Sequence, residues 1–258
     1  MPVSAGLHYF VQRTENSNRP PVILIHGAGG SHLSWHPYIR RLNGETVHAL
    51  DLPGHGQSEG EGRQSIEEYA EDVVRFMDAE NIQTAVLAGI SMGSAIALTL
   101  ALDHPNRVAA LVLIGGGAEM RVAPSILEMV GNLETFETAV ETINVHSFTP
   151  AVPTDLLRLS KQELLKTPPS VLLRDFSACS QFNMTMRLSE IKTPALILCG
   201  EHDKMMPPKF SLSLRDGLPN ARLLIIEQAG HMAQLERPDI VADAIKKFLD
   251  ELPLHSVL

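Results

Sequence analysis

Cysteine is scarce in this chain: Cys179 and Cys199 are the only two among 258 residues. They support no disulfide framework, which fits a reducing cytoplasm. Cys199 ends an apolar run and reads as a buried strand residue, and Cys179 lies in a helical-looking segment. Basic charge is also short. Lys and Arg number 21 against 30 Asp and Glu, a formal net charge of −9, and no basic stripe is visible. Nucleic acid and anionic membrane are therefore not expected as partners. No apolar run is long enough to span a bilayer. The opening Met1-Pro2-Val3-Ser4-Ala5-Gly6 has neither the basic region nor the apolar core of a signal peptide, so a cytoplasmic location is expected. There is no internal repeat and no low-complexity tract. The 11 histidines are scattered, without structural-zinc spacing, so no metal site is expected.

What is present is an ordinary globular composition with enough apolar residues for a full core. Leu7 to Gln12 and Pro21 to Ile25 read as strands, joined through the turn-rich Glu15 to Pro20 into an opening hairpin. A glycine-rich turn, His26-Gly27-Ala28-Gly29-Gly30, follows. A helix starting near Ser34 should carry Trp35, Ile39 and Leu42, with Trp35 as an anchor or at the entrance of a site. Thr46 to Leu50 is the next strand, and it leads into a second glycine-rich loop, Asp51 to Ser58. Ser65 to Glu80 is a strong helix, with Ser65 as cap, Glu68 completing a capping box, and an apolar stripe at Ile66, Tyr69, Val73, Phe76 and Met77. Val108 to Ile114 is a continuous apolar strand.

Up to that point strands and helices alternate, the signature of a parallel sheet covered on both faces. From about Ala118 to Glu190 the alternation stops. Helical stripes at Pro124 to Leu133, Thr135 to Val145, Thr154 to Lys166 and Pro169 to Phe182 follow one another without a convincing strand. The α/β rhythm then resumes with a strand at Pro194 to Cys199, a helix at Pro207 to Leu218, a strand at Arg222 to Ile226 and a helix at Pro238 to Glu251. This pattern divides the chain into a core of residues 1–117 and 191–258 and a helical cap of residues 118–190. The cap should lie over the carboxyl edge of the sheet, where open α/β sheets bind ligands.

The chemistry centres on Gly89-Ile90-Ser91-Met92-Gly93. An apolar, strand-like run from Ala85 precedes it and a small-residue helical pattern follows. A sharp strand-to-helix turn presents a serine hydroxyl free of its own backbone, and glycines on either side make room for that turn. Ser91 is the candidate nucleophile. A serine also needs a base, a group that orients the base, and oxyanion donors. Asp203 follows the Leu196-Ile197-Leu198-Cys199 strand and is the favoured acid. Glu201 and Glu119 are rival positions, and capping the Pro207 helix is the alternative role for Asp203. His231 follows the Leu223 to Ile226 strand, 28 residues after Asp203 (231 − 203), and is the candidate base. The order Ser, Asp, His is the one expected for a nucleophile on a strand-to-helix elbow. The Met92 N–H should form one half of the oxyanion hole, with Ala28 chosen as the second donor from the loop after the Pro21 to Ile25 strand.

With these motifs the chain resembles the α/β-hydrolase superfamily, in its serine-nucleophile, helical-cap form. The motifs are His26-Gly27-Ala28-Gly29-Gly30, Asp51-Leu52-Pro53-Gly54-His55-Gly56-Gln57-Ser58, Gly89-Ile90-Ser91-Met92-Gly93, Gly200-Glu201-His202-Asp203 and Gly230-His231. The resemblance implies the three catalytic assignments and supports Met92 and Ala28 as donors. It also implies that His26 and His55 are structural loop histidines. Ser94 departs from the glycine that relatives often carry there.

A serine at the elbow argues against haloalkane and epoxide hydrolysis, for which relatives use aspartate. The leading expectation is a carboxylesterase for short- to medium-chain esters, with a small-molecule ester as partner and no cofactor. The runner-up is a carbon–carbon hydrolase or lyase on a carboxylate-bearing substrate, for which Arg121, Arg174 and Arg187 are candidate pocket cations. A catalytically silent binding protein is the third reading. Met120, Met129, Met184, Met186, Met205, Met206 and Met232 are either core filling or a deformable apolar wall for an acyl or alkyl group. Monomer and homodimer both remain open.

Overall fold

The computed structural model describes residues 2–15 and 19–252. In chain order its strands are β1 (Val3–Ser4), β2 (Leu7–Gln12), β3 (Val22–Ile25), β4 (Val47–Leu50), β5 (Ala85–Ile90), β6 (Val108–Ile114), β7 (Ala195–Gly200) and β8 (Ala221–Ile226). They form one sheet in the order β1-β2-β4-β3-β5-β6-β7-β8. From β4 to β8 all neighbours are parallel, and only β1 and β2 run antiparallel to their neighbours. β3, β4, β5 and β7 are buried at every position, as expected of parallel strands covered on both faces.

The helices are α1 (Pro37–Arg40), α2 (Ile66–Ala79), α3 (Met92–Asp103), α4 (Pro124–Gly131), α5 (Phe136–Ser147), α6 (Thr154–Leu164), α7 (Pro169–Gln181), α8 (Pro208–Gly217), α9 (Ala233–Glu236) and α10 (Pro238–Glu251). Alternate residues along the strands feed two cores. One gathers Ile23, Ile25, Leu87, Leu111 and Ile197 with α2 and α3. The other gathers Val22, Leu24, Val86, Ala88 and Ile90 with Trp35, Ile39 and the α10 residues Val241, Ile245 and Phe248. The insert between β6 and β7 has a third, small core of Val130, Phe136, Ala139, Val140, Ile143, Leu172 and Phe176. Its four helices end within two residues of the sequence expectation. One isolated bridge, Glu119 to Asn183, ties the two ends of the insert together.

Three local expectations need correction. β2 and β3 do not form a hairpin, because β4 lies between them and pairs Tyr9 with Leu50 and Ile23 with His48. β3 is apolar on both faces and uses both edges for parallel neighbours, which leaves no edge for β2. Part of the intervening turn-rich segment, residues 16–18, lies outside the described residues. The helix expected from Ser34 is a single 3-10 turn at His32–Ser34 followed by the one-turn α1. Pro37 holds His36 extended (ψ 147°), so no helix can run through it. Trp35 is fully buried in the second core and does not stand at an entrance. Finally, Ser65 does cap α2 by accepting the Glu68 N–H, but the Glu68 carboxylate accepts from Gln64 N–H, so the reciprocal box is not closed.

Candidate active site

Ser91 stands between β5 and α3 at φ 53° and ψ −119°, a left-handed conformation costly for a residue with a side chain. The turn that imposes it is very tight. A Cβ on Gly89 would lie 2.1 Å from the Gly93 carbonyl oxygen, and one on Gly93 would lie 2.2 Å from that of Ile25. Both glycines are therefore required by contact. Ser94 is buried, and its hydroxyl donates to the carbonyl oxygen of Gly89 at 2.8 Å, with Ile114 O at 3.1 Å. Met92 is the first residue of α3, so its N–H has no acceptor within the helix.

At the end of β7 and β8, His231 Nδ1 donates to Asp203 Oδ2 at 2.8 Å. The other oxygen, Asp203 Oδ1, accepts from Met205 N–H at 2.9 Å and Met206 N–H at 2.8 Å. Asp203 thus shapes its own loop with one oxygen and fixes the imidazole with the other. The Nδ1–H donation leaves Nε2 as the acceptor nitrogen of the neutral ring. The pair packs against Gly115, whose added Cβ would meet His231 Nδ1 at 3.0 Å and Asp203 Oδ2 at 3.3 Å. The rival acids lie elsewhere. Glu119 pairs with Arg121 at 2.8 Å, and the exposed Glu201 accepts from Gln228 N–H.

Ser91 and His231 line one cavity of about 320 Å³, together with Ala28 and the rest of the Gly27–Gly30 turn. The insert supplies the opposite wall with Ile143, Leu156, Leu159, Leu164 and Phe176. Met205 and Met232 also line it, whereas Met120, Met184 and Met206 are core residues and Met186 is 90 % exposed. Asn144, Ser147, Ser160 and Glu163 are the polar residues of the insert at this wall. No Arg or Lys is among the described lining residues. Arg121 pairs with Glu119, Arg187 with Glu190, and Arg174 with Glu61 and the Gly62 carbonyl, so the structure does not bring these arginines to the cavity.

Two buried carboxylates organise the glycine-rich loops beside the cavity; the sequence marks Asp51 only as the start of a motif, with no role, and does not mark Asp175. Asp51 Oδ1 accepts from the His32 N–H at 2.6 Å and from its Nδ1 at 2.9 Å. Asp51 Oδ2 accepts from His8 Nδ1 at 2.7 Å and Gln57 N–H at 3.0 Å. Burial alone would raise the Asp51 pKa, but the hydrogen bonds from His32 and Gln57 hold it well below the usual carboxylate range. His8, His32 and Asp51 bring potential metal-ligand atoms within 4.8 Å, so these histidines are not scattered in space. The Asp51 oxygens are already fully used by N–H donors.

Asp175, on α7, is the second carboxylate. It accepts from Gly29 N–H at 2.8 Å, from His55 Nε2 at 2.7 Å and from the Tyr69 hydroxyl. Burial works against a charge on His55, but the Asp175 carboxylate outweighs it and raises the His55 pKa. His26 behaves oppositely: burial, then the nearby His55, push it down to about 4. Its Nδ1 donates to Gly27 O at 2.7 Å and its Nε2 accepts from Leu52 N–H at 3.0 Å, which fixes a neutral tautomer. Cys179, one turn beyond Asp175, is buried, and its thiol pKa is raised by that burial and by the Asp175 charge. The partners of Asp175 lie 106 to 146 residues away in the chain, so no local spacing could reveal them.

The family model for the alpha/beta hydrolase family matches residues 22–244. The chain belongs to that family. Within it, a relative from Comamonas testosteroni, 2-hydroxy-6-oxo-6-phenylhexa-2,4-dienoate hydrolase, is 30% identical over 90% of this chain and 88% of its own. Among solved structures, the enol-lactonase from Burkholderia xenovorans LB400 superposes with a TM-score of 0.88 at 25% identity, covering 95% of this chain and 96% of its own. A thermophilic esterase superposes with a TM-score of 0.81 at 30% identity, over 95% and 98%. These relatives support hydrolase activity in this family member. No helix among the described residues is long and apolar enough to cross a membrane.

Proposed function

We propose that this family member is a serine carboxylic ester hydrolase for uncharged short- to medium-chain esters, with the helical insert acting as the cap of its site. Ser91 Oγ attacks the ester carbonyl while His231 Nε2 takes its proton. Asp203 keeps the imidazole in the required tautomer and stabilises its charged form. The N–H groups of Ala28 and Met92 hold the oxyanion, and His231 then protonates the leaving alcohol. A water activated by the same histidine releases the acid from the acyl-enzyme. No cofactor enters this cycle.

The observation that carries the ester reading is the cavity lining. It is largely apolar, and among the described lining residues the one carboxylate is Glu163, which is paired with the exposed Lys166. A carboxylate-bearing substrate would find no cation among the described lining residues and none of the three arginines suggested for it. The solved relatives include an esterase and an enol-lactonase, whose names specify ester and lactone cleavage. The Comamonas testosteroni relative favours a second reading, carbon–carbon bond hydrolysis, since its name specifies a dienoate.

Assays on p-nitrophenyl esters of rising chain length test this, with Ser91→Ala as the control. The expected result is serine-dependent turnover that peaks at short or medium chains, with fluorophosphonate labelling of Ser91. No turnover together with no labelling would overturn the serine-hydrolase reading. Weak ester turnover with rapid cleavage of a vinylogous diketone would transfer the assignment to the second reading.

A further inference from the structure

The helical insert holds the backbone of the turn that carries Ala28. Asp175 accepts the Gly29 N–H at 2.8 Å, and Thr167, in the turn before α7, donates its hydroxyl to the Gly29 carbonyl at 2.8 Å. The peptide groups on both sides of Gly29 are therefore anchored by the insert. Gly29 has φ +65°, and the turn is closed by the Gly30 N–H donating to Gly27 O at 3.0 Å. An added Cβ on Gly29 would lie 2.4 Å from Leu164 and 2.7 Å from Leu172, both side chains of the insert. Only glycine lets the turn and the insert come this close.

The anchor is a strong one. Both ring nitrogens of His55 face acceptors, Pro53 O at 3.0 Å and Asp175 at 2.7 Å, which calls for a doubly protonated ring. That ring and the Tyr69 hydroxyl fix the Asp175 carboxylate from the core side, and the same carboxylate then takes the Gly29 N–H in a charge-assisted bond. All these groups are buried.

We infer that Asp175 and Thr167 are positioning residues for the oxyanion donor at Ala28, so that the seating of the insert sets the aim of that donor. This rests on the serine-hydrolase reading above. A donor that is slightly misplaced costs turnover and leaves ground-state binding nearly unchanged, because the oxyanion forms only as the reaction proceeds.

The test compares Thr167→Val, Thr167→Ser and Asp175→Asn with the wild type on a p-nitrophenyl ester. Complete loss of one donor costs about 100- to 1000-fold in kcat, so partial misalignment should cost about tenfold in Thr167→Val and about a hundredfold in Asp175→Asn, with KM within about twofold. Thr167→Ser keeps the hydroxyl and should retain the wild-type kcat. A trifluoromethyl ketone, to whose carbonyl carbon Ser91 Oγ adds to give an oxyanion, should weaken by the same factor as kcat/KM. The inference is overturned if the folded variants keep kcat within about twofold, if the loss falls on KM alone, or if inhibitor affinity does not move. Should Asp175→Asn fail to fold, Thr167→Val against Thr167→Ser decides. Fluorophosphonate labelling of wild-type Ser91 keeps the two failures apart. No label sinks the hydrolase reading, whereas full labelling with unchanged variants sinks this inference alone.

Discussion

The Ser94 hydroxyl donates to the Gly89 carbonyl oxygen at 2.8 Å, across the elbow that carries Ser91. It joins the first turn of α3 back to the strand that feeds it, at a position where a glycine would leave that carbonyl without this donor. Ser94→Ala should lower unfolding free energy by about 1 kcal/mol, the usual worth of one hydrogen bond. Ser94→Gly should lose somewhat more, about 1.5 kcal/mol, because glycine also gives the unfolded chain more conformational freedom to lose. Gly93→Ala is a different case: its methyl would stand 2.2 Å from a backbone oxygen, and the loss should exceed both. Urea unfolding of the three variants checks this order.

Asp203→Asn should lower kcat about 10³- to 10⁴-fold, because an amide in place of the carboxylate favours the wrong imidazole tautomer. Glu119→Gln and Glu201→Gln should stay within about twofold of the wild type, since neither carboxylate reaches His231. Steady-state kinetics on one ester settles the choice of acid. A silent Asp203→Asn beside an inactive Glu119→Gln would overturn it.

Acid should destabilise the fold well before the carboxylates titrate. Burial pushes His26 and His48 each down to about 4. A histidine lowered in the fold is neutral there while the unfolded chain still binds a proton, so stability is present above about pH 6.5 and is lost as the pH falls towards 4. At pH 5 the cost is about 2 kcal/mol for each ring. His55 works in the other window: its raised pKa gives stability below about pH 6.5 that fades as the pH rises through the raised value. Urea unfolding at pH 7.5 and pH 5 should show the acid loss. His48→Phe should remove about half of it, because the His48 ring packs edge-on to Phe76 and its Nδ1 has no hydrogen-bond partner.

Charge selectivity should follow from Glu163. A neutral butyrate ester should exceed a succinate hemiester of the same alcohol by about tenfold in kcat/KM, because the described lining is largely apolar, holds no cation, and has a carboxylate whose charge the exposed Lys166 only partly offsets. Glu163→Gln should narrow that ratio, and Arg174→Ala should leave it unchanged. A preference for the hemiester would instead favour the carbon–carbon hydrolase reading.

The sheet was legible wherever a strand is buried on both faces, because β6 and β7 read as unbroken apolar runs bounded by turns. The elbow, Asp203 and His231 were legible because each sits at a strand end. Pairing order was not. β2 and β3 are neighbours in sequence, yet the partner that separates them, β4, lies beyond another helix and loop. Asp175 was invisible for a related reason. An acid inside an amphipathic stripe reads as a solvated face, and its burial depends on Gly29, His55 and Tyr69 arriving from far along the chain.

That separation has a consequence for biosynthesis. Asp175 follows Gly29 by 146 residues. At ribosomal rates of about 5–20 residues per second, Gly29 waits roughly 7 to 30 s for the acceptor of its N–H. The elbow at Ser91 leaves the ribosome in the meantime, and its histidine at 231 comes last. The order of synthesis therefore makes the elbow first, the Asp175 anchor of the Gly29 turn next and the Asp203–His231 pair last, so the cavity lined by Ser91 and His231 cannot assemble until residue 231 has been made.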